Sequence, residues 1–396
     1  MGVFIPAGKL ENLKLYKYSS EDHSVVSKLI LKSWWNNFVK IFPLSMAPNV
    51  ITLTGLGFII ANLLVVFYYD PTLTEASPRW CYFFYAFGLF MYQTFDGCDG
   101  CHARRTGQSG PLGELFDHSI DAINTTLGCM VFGSVFRMGY GFLFMLSQFS
   151  TVCNFYTSTW EEYHTHTLFL SHFSGPVEGI LMICFLYILT GVFGPGIWQA
   201  KLVDLDLSSL GGSSSFEVTT SIVYLVIGAP ALYFNIASAV NNVKKHYYHS
   251  KELSRFEADE EIAESYKGLI PFFAYYASIL LYIWSFPETL SKNGFPLIIS
   301  IGLTVAFSVG RIILAHLTKQ EFPYIQPPMF LPILQTILAH VLIGVYDFDR
   351  STVLTGLSWS GLGITLGIHG MFITEIIYEI TTYLDIYTLS IKHKRA

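Results

Sequence analysis

The sequence predicts an all-α, polytopic membrane protein with about ten transmembrane helices and an interfacial helix near its N-terminus. Three observations predict it. Hydrophobic residues make up 52% of the 396, charged residues only 13%, and mean hydropathy is +0.45, too apolar for a soluble chain of this length. Ten apolar runs approach or exceed the ~20 residues that a bilayer crossing needs. Lysine and arginine are also unevenly shared between the two sides those runs define. With the N-terminus cytosolic, 18 of the 23 fall in cytosolic segments and only Arg79, Arg137, Lys201, Lys292 and Arg350 fall opposite. Positive charge stays inside, so both termini are expected in the cytosol.

Taken in order, residues 1–45 form a cytosolic segment in which Val26, Ile30, Trp34, Phe38 and Phe42 recur every fourth position. That period suits a helix lying in the membrane interface or packed on the protein's own cytosolic face. No apolar h-region precedes the first span, so no cleaved signal peptide is expected. The runs follow at 46–68, 79–99, 112–136, 139–160, 175–194, 218–240, 268–286, 294–316, 327–346 and 355–379. The sequence divides into the N-terminal segment, a bundle at 46–240 carrying the chemistry, a charged cytosolic connector at 241–267, and further helices with a short tail at 268–396. Asn124 heads an Asn-Thr-Thr sequon inside a span, where glycosylation is not expected. The six cysteines lie mostly in apolar runs. Cys98-x-x-Cys101 has neither a second pair nor a βαβ context, so these read as core thiols. His316, His340 and His369 sit singly on apolar helices and read as interhelical hydrogen-bonding groups, and Arg311 and Glu375 as a candidate ion pair.

The chemistry concentrates between Asp96 and Asp121, DGCDGCHARRTGQSGPLGELFDHSID. Each carboxylate placed in a membrane costs ~2.5–3.5 kcal/mol even on the lenient insertion scale, so four aspartates here demand a cationic partner. At about 100° per residue, Asp96 and Asp99 share one helical face and Gly113, Asp117 and Asp121 another. Taking Asp117 as zero, Asp121 falls at about +40°, Glu114 at about +60° and His118 at about +100°. The Gly-, Ser- and Pro-rich linker 105–111 reads as a turn. A helical hairpin then builds a cage of hard oxygen ligands, suited to Mg²⁺, Mn²⁺ or Ca²⁺. Arg104 adds positive charge for a phosphate. Gly100 and Gly113 let a bulky ligand approach the backbone.

Asp96-x-x-Asp99-Gly100-x-x-Ala103-Arg104, eight residues, Gly113, three residues, Asp117, three residues and Asp121 resembles the signature of the CDP-alcohol phosphotransferases at every fixed position. MAPNVITLTG, PRWCYF, GPLGELFDHSIDAINTT, STWEEYHTHTL, GPVEG and LDIYTLSIKHK extend the resemblance over nearly the full length to the fungal choline/ethanolamine phosphotransferases, nearest the ethanolamine branch. The resemblance implies transfer of phosphoethanolamine or phosphocholine from CDP-ethanolamine or CDP-choline to diacylglycerol, releasing CMP. It also implies an endoplasmic-reticulum or Golgi membrane and a homodimer; the charge split and even helix count place the site mouth in the cytosol, and no nucleic-acid partner is expected. It transfers to Asn49 a place beside the nucleotide.

From the residues, Asp96, Asp99, Asp117 and Asp121 would hold two Mg²⁺ ions, with Mn²⁺ a possible substitute, that clamp the diphosphate and stabilise charge on the leaving oxygen. Gly100, Ala103, Arg104 and Gly113 would seat the nucleotide. Asp121 or His118 would take the acceptor's proton. His118 is favoured because a metal-bound carboxylate is a weakened base, and Glu114 would orient it. Trp160 offers a face for a quaternary ammonium. The resemblance implies that Glu178 and the Trp160–His166 stretch lie near where headgroup or acceptor enters, although from the residues Glu161, Glu162, His164 and His166 read first as a solvated membrane-edge patch. The competing readings are a diphosphate-binding membrane prenyltransferase, which normally uses two separated Asp-rich motifs, and a divalent-cation transporter, whose acids should spread through the membrane depth.

Overall fold

A computed structural model describes residues 2–17, 19–22, 24, 26–170, 176–206, 215–251 and 253–392. Gly175 of the GPVEG stretch, Glu252 of the connector and the last four residues of the tail lie outside them. Among the described residues the architecture is helical, with two small strand pairs. Ser20–Asp22 runs parallel to Leu168–Leu170, and Lys201–Asp206 pairs antiparallel with Ser215–Thr219. Helices α2 (Pro48–Tyr69), α3 (Arg79–Thr106), α4 (Pro111–Val135), α5 (Phe142–Thr165), α6 (Pro176–Phe193) and α7 (Thr220–His249) cover the first six apolar runs. After α8 (Arg255–Lys267), helices α9 (Ile270–Ser285), α10 (Glu288–Thr318), α11 (Leu331–Gly344) and α12 (Arg350–Leu384) cover the other four. Among the described residues, six helices are long and apolar enough to cross a bilayer: Pro48–Tyr69, Thr220–His249, Arg255–Ser285, Glu288–Thr318, Pro327–Gly344 and Arg350–Leu384. The polar residues of α3, α4 and α5 keep those helices below that apolarity.

Local chemistry explains the boundaries. Proline opens α2 and α4 at the position where its missing N–H is not needed. Helix α3 stops at Gly107, whose φ of +67° suits glycine. Asp70 ends α2. Its Oδ1 accepts from the Thr74 and Glu75 amides at 2.8 and 2.9 Å, and its Oδ2 accepts from Ser134 at 2.7 Å. The stretch 241–267 continues α7 to His249 and then forms α8, much of it exposed. Its Ser254-x-x-Glu257 capping box satisfies amides at the helix start.

The N-terminal segment resolves into a short helix α1 (Lys32–Phe38) docked on α3. Trp34 donates to Thr94 at 3.2 Å, and the rings of Phe38 and Phe42 stand edge-on to Phe95. Arg105 donates to the Val39 and Phe42 carbonyls. Leu29, Ile30 and Ile41 stay exposed. The segment therefore uses one face on the protein and leaves the other free for a lipid surface.

Helix α10 is the packing spine. It lies against α4, α5 and α12, and its interior residues are buried from Leu297 to Leu317 with few exceptions. Small residues permit the approach. A Cβ at Gly302 would fall 2.7 Å from Cβ of Thr126 on α4, and one at Gly310 would meet the Phe372 ring of α12 at 2.7 Å. Helix α4 carries the acidic block, so α10 backs the site directly. Gly302→Val should destabilise the protein by about 1–3 kcal/mol through overpacking, read as a lowered thermal unfolding midpoint in detergent, whereas Gly363→Ala, with open space around it, should not.

Candidate active site

The turn Gly107–Gly110 folds the end of α3 back onto the start of α4 and sets two acidic faces opposite each other. Asp96 from α3 and Asp117 and Asp121 from α4 each offer an oxygen within 4.8 Å of the others. Asp99, one turn beyond Asp96, lies against Asp117 and is held by Thr52 of α2, whose hydroxyl donates to Oδ2 at 2.5 Å. The Tyr92 hydroxyl donates to Asp121. Oδ1 of Asp117 is buried with no hydrogen-bond partner. Among the described residues no lysine or arginine pairs with any of the four. Converging oxygen donors, an orphaned buried carboxylate oxygen and no internal counter-charge fit a hard divalent cation. This is also the one described group of three acidic, histidine or cysteine ligands close enough to share an ion.

The cage opens into a cavity of 2840 Å³. Asn49, Gly100, Ala103, Arg104 and Gly113 line it, as the sequence led one to expect. Asn49 donates to the Thr388 carbonyl at 3.0 Å, which fixes its amide at the rim. Arg104 is exposed, its guanidinium resting on the Cys101 sulfur at 3.2 Å. A Cβ at Gly113 would meet nothing within 4 Å, so that surface is open to a ligand. The cavity continues between α4, α5, α6 and α7 past Gly128, Phe132, Ile183, Tyr187 and Leu225, an apolar arm leading away from the acids.

Three expectations need correction. Trp160 does not face the cavity. Its indole is fully buried, donates to the Ser265 carbonyl at 2.8 Å and packs on Tyr266 and Gly268, so no ammonium reaches its face. Glu114 does not orient His118. It accepts from the Tyr16 hydroxyl at 2.5 Å, and the carboxylate facing His118 is Glu162 of α5, 4.0 Å from Nδ1. The stretch after Trp160 is not solvated at its glutamates. Glu161 and Glu162 are 5% and 6% exposed, and Glu161 accepts from Asn242 of α7 at 2.7 Å. Its histidines diverge: His164 bonds to Tyr247 and His166 to His316, ring nitrogen to ring nitrogen at 3.2 Å. Burial, with His246 and Lys319 nearby, holds the His166 imidazole below its usual range, and the N–H···N bond requires a free lone pair on one of the two rings.

Elsewhere, Glu178 turns toward Ser24, whose hydroxyl donates to it at 2.5 Å, while its neighbours Val177 and Gly179 line the cavity. His340 bonds the carbonyl one turn back on its own helix rather than another helix, and both ring nitrogens of buried His369 lack partners. Thr52, Tyr92, Tyr16 and Asn242 were not foreseen. Each sits on a different element from its acid, with no spacing signal to betray it.

The family model for CDP-alcohol phosphatidyltransferase matches residues 45–203. The chain is 51% identical over 396 residues, all of both chains, to choline/ethanolaminephosphotransferase 1 of Saccharomyces cerevisiae. It is 50% identical over 398 residues, again all of both, to cholinephosphotransferase 1 of the same yeast. To choline/ethanolaminephosphotransferase 2 of Arabidopsis thaliana it is 36% identical over 404 residues, covering 99% of this chain and 100% of the relative.

Because Trp160 bonds only to the protein, Trp160→Phe should lower the thermal midpoint through a lost hydrogen bond of about 1 kcal/mol. Mn²⁺ binding followed by electron paramagnetic resonance should remain at its wild-type level.

Proposed function

The chain is an enzyme of the CDP-alcohol phosphatidyltransferase family, and from that membership we propose that it transfers phosphoethanolamine and phosphocholine from CDP-ethanolamine and CDP-choline to 1,2-diacylglycerol, releasing CMP. The printed activities of two yeast relatives and the resemblance of its motifs support the choice of substrates. Membership of the family argues against both the prenyltransferase and the transporter readings. The observation that carries the mechanism is the convergence of Asp96, Asp117 and Asp121 with an unpartnered buried oxygen.

Asp96, Asp99, Asp117 and Asp121 would hold two divalent ions, Mg²⁺ by preference and Mn²⁺ as a substitute. Such ions, when bound, neutralise a diphosphate and stabilise charge on the departing CMP. Thr52 and Tyr92 each donate a hydrogen bond to one oxygen of Asp99 and Asp121, as outer partners do at metal sites. Arg104 supplies a donor to a phosphate oxygen, and the open surface at Gly113 lets the nucleotide lie against α4.

The diacylglycerol hydroxyl oxygen forms a bond to the phosphorus bearing the headgroup, and the bond from that phosphorus to the CMP oxygen breaks. The hydroxyl proton passes to His118. Glu162 faces Nδ1 and favours a proton there, which leaves the Nε2 lone pair to accept. Asp121 is the poorer base because it belongs to the cage and already accepts from Tyr92. The apolar arm between α6 and α7 suits a diacylglycerol arriving from the bilayer. The lysine and arginine distribution supports termini and a site mouth in the cytosol, and the family resemblance supports an endoplasmic-reticulum membrane. The homodimer rests on family resemblance.

Purified protein given labelled CDP-ethanolamine or CDP-choline with diacylglycerol should make both phospholipids, lose all activity in EDTA, and recover it on adding Mg²⁺ or Mn²⁺. Failure of Mg²⁺ to restore turnover would sink the reading. Asp117→Asn should reduce turnover at least a hundredfold, a loss of about 2.7 kcal/mol or more in barrier stabilisation. His118→Ala should lose turnover to a similar degree yet still bind CDP-alcohol, measured by isothermal titration calorimetry. Nucleotide affinity falling in parallel would instead assign His118 a structural part.

A further inference from the structure

The first residues carry the apolar pair Phe4-Ile5, then Pro6, then a polar stretch closed by Leu13 and Tyr16. Phe4, Ile5 and Leu13 are all buried. Phe4 stands edge-on to Phe307 of α10 and Phe372 of α12, its ring centroid 6.1 and 5.0 Å from theirs. The amides of Val3 and Phe4 donate to Glu375 of α12, the latter at 3.0 Å. Arg311 of α10 lies 5.2 Å over the Phe4 ring and donates to its carbonyl at 3.4 Å. The ion pair expected between Arg311 and Glu375 is thus bridged by N-terminal chain.

A 3₁₀ helix, Ala7–Leu15, follows and caps the end of α10. Lys9 donates to the Lys319 carbonyl at 2.9 Å and Asn12 to that of Thr318 at 2.8 Å, satisfying acceptors that a helix end leaves open. The segment then enters the catalytic cavity, where Leu13 and Tyr16 form part of the wall. Tyr16 ends it with the 2.5 Å bond to Glu114, a short, charge-assisted contact.

We propose that residues 2–17 are a strap through which α10 and α12 hold Tyr16 against Glu114, making Tyr16 a positioning residue for the transfer. The proposal rests on the reaction assigned above. Of the glutamates that line the cavity, Glu114 lies one turn before His118 on α4, and Glu162 of α5 faces it 4.0 Å from Nδ1. Tyr16 engages Glu114, and Glu162 is left to face Nδ1 of His118. Without the Tyr16 hydroxyl, the partly buried Glu114 loses its donor, and the nearest alternative along the helix is His118 at i+4. Such a contact turns the imidazole from the acceptor hydroxyl while leaving the nucleotide surface untouched. Arg311 and Glu375 do not line the cavity, and they meet the strap at Val3 and Phe4.

Steady-state kinetics on the full-length protein in nanodiscs, with CDP-ethanolamine and dioleoylglycerol, test this. Tyr16→Phe should lower kcat about tenfold, the loss expected for a hydrogen bond to a charged group. The KM for CDP-ethanolamine should stay within about twofold of wild type. Glu375→Ala should lower kcat in the same way, and the double variant should be no slower than Tyr16→Phe alone, because both act through one contact. A wild-type kcat for Tyr16→Phe, or effects that multiply in the double variant, overturns the strap. Hydrogen–deuterium exchange supplies a readout independent of activity: Glu375→Ala should raise exchange across residues 10–17. Unchanged exchange there overturns the strap even in an inactive preparation, whereas absence of transferase activity in wild type overturns only the assigned reaction.

Discussion

Three carboxylates held within 4.8 Å of one another, with a fourth against them and no basic side chain among the described residues to answer them, are the constraint on which this molecule turns. At an effective dielectric constant of about 20, each ionised pair at that separation repels by roughly 3–4 kcal/mol. Nothing in the described chain offsets that repulsion, so the offset comes from what binds. The surroundings are arranged to keep the acids available. Thr52 and Tyr92 each take a single oxygen of Asp99 and Asp121 and leave the other oxygen of each carboxylate for a ligand.

Holding such a site in an apolar bundle requires stiffness behind it. Helix α10 provides this by pressing on α4 at Gly302 and Thr126, a contact that admits no side chain. Gln148 of α5 adds a polar tie by donating to Thr126 and to the Ile298 carbonyl. The C-terminal helices, which carry no cage residue, are thereby part of the support of the chemistry. The N-terminal segment extends the same logic, since it is anchored on α10 and α12 and ends inside the cavity.

The second polar layer, Glu161, Glu162, Asn242 and His118, separates the cage from the wall between α5 and α7. In sequence it reads as a solvated edge because the hairpin alone already supplies a complete acidic site. In the fold the aromatic members turn into the core, as Trp160 does against Ser265 and Tyr266, and the acids turn into a cavity that is enclosed by α7. Burial of this kind depends on a partner helix some eighty residues away, and no local pattern reports it.

The sequence by itself determined the helical membrane class, the positions of the long apolar helices and the hairpin of acids. Hydrophobic run length and the 3.6-residue turn are local properties, and the fixed gaps from Asp96 to Asp121 act through one tight turn. Even the capping box of α8 was legible in Ser254 and Glu257, although the net charge of that stretch drew attention to solvent instead. Only the tertiary structure decided which groups answer the acids. Tyr16 takes Glu114, Glu162 faces His118, Thr52 and Tyr92 hold the cage, and Trp160 is withdrawn from it. Each of those pairings joins different elements of the chain. Their partners are chosen by how α2, α5, α10 and the N-terminal strap pack around the hairpin, a non-local outcome that spacing along one helix does not encode.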